Sequence, residues 1–158
     1  MAALTGTDLE GYELLEGMRT EDLAAMAACG KRVEVAGGET LFRQGEPANA
    51  FCLLEAGRVV VMLESPGGET ANVLAVGRRE PFGWSSVIAP RVYTGGAQAL
   101  DRSQILWFDA TALLKVFEEH TDLGYRFMAR LAAIIAKRLK EHWVDLCART
   151  NTRRTLSP

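Results

Sequence analysis

Apolar residues fall in three textures along the chain. Over residues 8–29, Leu9, Leu14, Leu15, Met18, Leu23, Met26 and Ala27 recur at helical spacing. Thr20-Glu21-Asp22-Leu23 reads as a helix start, a Thr cap with acidic side chains in the first turn, where they favour the helix dipole. Two short helices broken near Gly17–Thr20 are expected. From 31 to 108, short runs rich in Val, Leu and Phe alternate with turn signals such as Ala36-Gly37-Gly38, Gln44-Gly45-Glu46-Pro47 and Glu55-Ala56-Gly57. A turn at roughly every 8–12 residues predicts an all-β sandwich or barrel. Ser65-Pro66-Gly67-Gly68 between Val59–Glu64 and Thr70–Ala75 predicts a hairpin. After Asp109 the helical period returns, in a short helix over Thr111–Glu119 and a longer one over Asp122–Cys147.

The fold class is therefore mainly β with flanking helices, in one domain. An N-terminal helical segment covers 1–30, the β-barrel 31–110 and the C-terminal helices 111–147. The polar stretch 148–158, with Arg153-Arg154, reads as a disordered tail. In the long helix Met128, Leu131, Ile135, Leu139, His142 and Leu146 form a stripe, flanked by Ala129, Ala132, Ala133 and Ala136 and widened by Phe127 and Ile134. A face that wide can bury one side on its own barrel and the other on a second copy. The sequence thus predicts a homodimer through Met128, Leu131, Ile135, Leu139 and His142. A helix packed wholly on its own barrel is the alternative.

With 158 residues, 48% hydrophobic and 24% charged, the chain has enough core to fold without disulfide or metal. Its formal charge of −2 offers nucleic acid and acidic lipid no global attraction, so any anion site must be local. Cys29, Cys52 and Cys147 lie far apart and read as reduced thiols. No basic start followed by an apolar run marks a signal peptide, and no run is long enough for a membrane span, so a cytoplasmic protein is expected. The two histidines, His120 and His142, lie outside the β region, and no GxSxG or P-loop motif occurs. Neither an enzyme nor a metal site is expected.

Gly38-Glu39-Thr40-Leu41-Phe42-Arg43-Gln44-Gly45-Glu46-Pro47-Ala48, Phe51-Cys52-Leu53-Leu54-Glu55-Ala56-Gly57-Arg58-Val59, Leu74-Ala75-Val76-Gly77, Phe82-Gly83, Ala99 and Ile105-Leu106-Trp107-Phe108-Asp109 stand in an order and spacing that carry a resemblance. Over residues 12 to 146 or so the chain resembles the cyclic-nucleotide-binding domain of the catabolite activator and kinase regulatory-subunit families. The resemblance implies a β-roll or jelly-roll barrel between N-terminal helices and a long C-terminal helix, with a phosphate-cassette-like loop at 81–99. In that family a short cassette helix points its N–H groups at a cyclic phosphate, an arginine adds a fork-shaped contact, and a glutamate after the glycine holds the ribose hydroxyl.

Mapped on this sequence, the candidate ligand-binding residues are Phe82, Gly83, Trp84, Ser85, Ser86, Arg91, Tyr93 and Thr94. Trp84 stands where the resemblance implies the glutamate, and an indole N–H donates but cannot accept. It reads either as a plug for the pocket or as a platform for a base. Counted back from Ala99, the arginine position falls on Tyr93, expected half-buried with a locally bonded hydroxyl. Arg91, two residues earlier, is either an anion ligand through a shortened loop or a solvated loop side chain. Ser85 and Ser86 are placed to cap the cassette helix. Each lost charge-assisted contact costs about 1.5–3 kcal/mol, so losing both weakens binding by roughly two to four decades.

Three functions follow as expectations. The first is a stand-alone, non-catalytic regulatory domain that binds a cyclic nucleotide or another small anion, or has degenerated into a non-binder of cyclic AMP and GMP, and signals through its C-terminal helix to an unidentified protein partner. The second is a ligand-independent dimerisation or interaction scaffold. The third is a fragment of a catabolite-activator-type transcription regulator lacking its helix-turn-helix. Too few residues follow Leu146 for such a reading head, so direct DNA binding is not expected.

Overall fold

A computed structural model describes residues 2–155, with backbone only for 152–155. Among the described residues nine strands form two antiparallel sheets. β1 (Ala2–Ala3), β2 (Gly30–Val35), β4 (Ala50–Ala56), β7 (Pro81–Phe82) and β9 (Ser103–Asp109) make the first, in the order β1-β2-β9-β4-β7. β3 (Thr40–Phe42), β5 (Val59–Glu64), β6 (Thr70–Val76) and β8 (Gly96–Ala99) make the second, in the order β3-β8-β5-β6. The predicted hairpin is β5–β6, paired from Val59↔Val76 to Glu64↔Thr70 with a one-residue register shift between Val61 and Met62. The helices are α1 (Thr20–Ala27), α2 (Ala110–Glu119) and α3 (Thr121–Thr155). Mainly β with flanking helices is therefore the observed class.

β4 shows why the sheets pack as they do. Its unbroken apolar run Ala50-Phe51-Cys52-Leu53-Leu54 is buried on both faces, because successive side chains of a strand point to opposite sides. Ala50, Cys52 and Leu54 join Val35, Val59, Ile105 and Tyr93 between the sheets. Phe51 and Leu53 join Leu106 and Phe108 on the other face, where Leu14, Met26, Leu113, Phe117, Leu123, Phe127 and Leu131 cover them. Each such side chain stabilises the fold by about 1.5–3 kcal/mol through burial.

Three local expectations are corrected. Residues 8–16 form two 3-10 turns, Gly6–Leu9 and Glu13–Leu15, rather than a helix; Gly11 (φ 82) and Gly17 (φ 74) bound segments too short to sustain one. The N-cap of α1 is Arg19 rather than Thr20, and the Arg19 Nε donates to Asp22 Oδ2 at 3.0 Å inside the first turn. The tail foreseen as disordered from 148 is a continuation of α3 to Thr155; the remainder, 156–158, lies outside the described residues.

α2 follows β9 directly, capped by Asp109, whose Oδ1 accepts from the Ala112 N–H at 2.7 Å. α3 then packs closely on α2 at Gly124, where a Cβ would come within 2.8 Å of the Phe117 Cβ. That closeness seats Leu123, Phe127 and Leu131 on the sheet. Leu131 is wholly buried in its own domain, so it leaves the set of side chains open to a second copy. Ile135 is partly buried against the same core, whereas Met128, Leu139 and His142 are exposed. Beyond residue 138 every described side chain of α3 is exposed. Among the described residues no helix is long and apolar enough to cross a membrane, and no group of three His, Cys, Asp or Glu residues is placed to hold a metal ion.

Candidate functional site

The cassette begins where β7 ends. Phe82 pairs with Cys52 across the sheet, and Gly83 turns the chain in a left-handed conformation, φ 71. A Cβ there would lie 3.1 Å from the Ala50 carbonyl oxygen and 3.4 Å from Phe42 Cε1, so both the turn and the close approach call for glycine. A single 3-10 turn follows, Trp84–Val87. The buried Ser86 hydroxyl donates to the Gly83 carbonyl at 2.8 Å and is thereby occupied within the turn. Ser85 Oγ lies 3.4 Å from Thr94 Oγ1 across the mouth of the site.

The returning limb is stitched to the 43–48 turn by main-chain bonds: Ala48 N–H to the Arg91 carbonyl at 2.8 Å, Tyr93 N–H to the Glu46 carbonyl at 3.0 Å, and Gly45 N–H to the Tyr93 carbonyl at 2.9 Å. These bonds place Tyr93 between the sheets. It is 3% exposed rather than half-buried, and its ring lies on Phe42 with centroids 3.8 Å apart and planes 7° from parallel. Its hydroxyl donates to the Ala50 carbonyl at 3.0 Å and accepts from the Ala50 N–H at 3.1 Å. The partner is thus a strand 43 residues away rather than a local group. Burial, partly offset by the bond to Ala50, pushes the Tyr93 phenol up to about 12.

Around these aromatics a cavity of about 50 Å³ is left, bounded by Phe42, Phe82, Trp84 and Tyr93, with Ser85 and Thr94 at its polar edge. Among the described residues no charged side chain lines it. Sites for small molecules run to about 300–1,000 Å³.

Trp84 borders the cavity and also meets α3, whereas Arg91 lies apart from both. The Trp84 ring packs against the helix-covered core and lies under the Arg138 guanidinium, 5.1 Å from its centroid. Arg91, at φ 58, lines a shallow apolar depression with Leu114, Phe117, Tyr125 and Met128 on the α2–α3 side, away from the cassette cavity. The structure therefore brings Phe82, Gly83, Trp84, Ser85, Tyr93 and Thr94 together, holds Ser86 inside the turn beside them, and leaves Arg91 apart. Sequence reasoning missed Phe42, whose partner stands half the domain away, and Arg138. The latter had a signal: it follows Leu131 and Ile134 on the buried stripe of α3, where a charge needs a partner.

Residues 32–120, more than half of the chain, match the model of the cyclic nucleotide-binding domain. The chain belongs to the cyclic nucleotide-binding domain family. The solved structure of a Putative Cyclic nucleotide-binding protein from Geobacter metallireducens GS-15 is 25% identical, with a TM-score of 0.76 over 86% of this chain and 98% of the other. The sensor domain of the transcriptional regulator DNR from Pseudomonas aeruginosa is 28% identical, with a TM-score of 0.69 over 84% of this chain and 89% of that one. A CRP-like cAMP-activated global transcriptional regulator of Mycobacterium tuberculosis is 22% identical over 127 residues, 80% of this chain and 55% of the regulator. The chain thus spans about half the length of that curated relative.

Proposed function

We propose that this cyclic nucleotide-binding domain is a non-catalytic regulatory module whose cassette is closed to cyclic AMP and cyclic GMP, and that it acts through α3 as a homodimer. The observation that carries the reading is the 50 Å³ uncharged cavity, several-fold below the size of a nucleotide site and without a cation for the phosphate. The stacked Phe42–Tyr93 pair fills the space between the sheets, and Trp84 is engaged by α3.

The dimer rests on the exposed face of α3. Met128, Ala132, Ile135, Leu139, His142 and Leu146 repeat at alternating spacings of four and three. That is the 3.5-residue period of a two-stranded coiled coil. Ala132 replaces the buried Leu131 in the stripe read from sequence, and Trp143, 59% exposed, flanks it. Light scattering is expected to give a dimer that Leu139→Lys converts to a monomer; a monomeric native protein removes this half of the reading.

Calorimetric titration with cyclic AMP and cyclic GMP tests the cassette. The expected result is no saturable heat at micromolar ligand. The likeness to the cAMP-activated regulator supports a second reading, a ligand-responsive sensor, and micromolar binding by the native chain establishes that reading instead.

A further inference from the structure

α3 carries one charged side chain turned inward at the cassette. Arg138 keeps 14% of its side chain exposed, while its neighbours Lys137 and Lys140 are exposed. Its Nη1 donates to the Pro81 carbonyl at 3.2 Å and its Nη2 to Glu80 Oε2 at 3.1 Å, and its guanidinium carbon lies over the Trp84 ring, 5.1 Å from the centroid. Glu80 in turn accepts from the Gly77 N–H at 2.8 Å, closing the turn between β6 and β7. One guanidinium thus touches the turn before β7, β7 itself and the first residue of the cassette turn. A planar fork suits this set of partners, since it bonds in its plane and stacks through its face.

The position of Arg138 along the helix gives these contacts their consequence. Leu131 is the last wholly buried side chain of α3, Ile134 and Ile135 are partly buried, and from Leu139 onward every described side chain of the helix is exposed, although Glu141 still lines a groove with Arg79, Glu80 and Pro81. Arg138 is therefore the last partly buried side chain of α3 among the described residues, and it hydrogen-bonds to the first sheet and to the turn before β7. We infer that Arg138 is a built-in latch that couples the cassette to the exit direction of α3 without a ligand. Trp84–Val87 moves when the helix moves, and the exposed face of α3 is oriented by the cassette. This goes beyond the closed-cassette reading and does not require a dimer, because every contact lies within one chain.

Hydrogen exchange on the full chain, resolved by mass spectrometry into peptides over 82–90, over 132–146 and over β4 and β9, tests the latch. Arg138→Gln keeps a polar side chain but removes the charge and the fork. It is expected to speed exchange roughly fivefold to thirtyfold in both 82–90 and 132–146 while β4 and β9 stay protected. Arg138→Lys, which keeps the charge alone, falls between. Coupling is reciprocal, so Trp84→Leu, which keeps apolar packing and removes the π face, must raise exchange over 132–146 as well. The Arg138→Gln/Trp84→Leu double variant then adds little to either single change. The latch is overturned if faster exchange stays within the mutated element, or if β4 and β9 open equally, which marks general destabilisation.

Discussion

Tyr93→Phe removes one oxygen atom from the filled cassette and keeps the ring stacked on Phe42. That oxygen works twice, donating to the Ala50 carbonyl at 3.0 Å and accepting from the Ala50 N–H at 3.1 Å. Tyr93 is 3% exposed and Ala50 not at all, so no bulk water replaces the lost partner. Leaving the Ala50 N–H and carbonyl without this partner costs about 1–2 kcal/mol for each group, and about 2–4 kcal/mol for the two together. For a domain of this size that lowers Tm by roughly 5–15 °C. The variant has a second signature. The folded-state phenol is raised from 10.0 to about 12, so its contribution is complete below pH 10 and is lost as pH climbs from 10 to 12. At 1.36 kcal/mol per pKa unit the loss is about 2–3 kcal/mol. The buried Tyr12 phenol is raised to about 12 as well, and burial pushes the Cys29 and Cys52 thiols up, so the native protein weakens in alkali through these groups and Tyr93 together and the variant through the same groups without Tyr93. Urea denaturation followed by circular dichroism, at neutral pH and in steps to pH 12, measures both effects. A neutral-pH cost below about 0.5 kcal/mol, together with an unchanged alkaline slope, refutes the doubly bonded hydroxyl.

Three further outcomes are expected. Asp109→Ala removes the cap of α2 and costs about 1 kcal/mol in the same denaturation assay. The Thr5 N–H and then Arg32 hold the Asp8 carboxyl down at about 2, so its contribution is present above pH 3.8 and lost as pH falls towards 2. With the side chain 26% exposed this amounts to about 1 kcal/mol, and Asp8→Asn flattens acid unfolding by that much. Gly57→Ala places a Cβ 2.3 Å from Ser103 Oγ and 2.7 Å from the Arg102 carbonyl at φ 93, and costs about 2–3 kcal/mol or abolishes soluble expression.

The strands were legible because their signals are local. Val59–Glu64, Ser65–Gly68 and Thr70–Ala75 spell strand, turn and strand in one window, and the hairpin forms there. The helix of residues 110–119 announced itself in the same way, through its period, and the Asp109 cap came to light only in the structure. The start of the chain was read less well: apolar spacing over residues 8–16 suits a helix, and two left-handed glycines break it into 3-10 turns. On α3 the sequence showed a wide apolar face without its division, and packing on the barrel assigned Leu131 inward and Leu139 outward.

The candidate site divides along the same line. By itself the sequence determined the frame of the cassette, the Trp84 exchange and the absence of an aligned arginine, because each is a residue type at a position in a short motif. The tertiary structure alone decided what occupies the pocket and what Trp84 faces. Phe42 meets Tyr93, Tyr93 bonds Ala50 43 residues away, and Arg138 reaches Pro81 57 residues away. Such pairings leave no periodic trace in either partner's surroundings, since they arise only when two sheets and a helix close on the same volume.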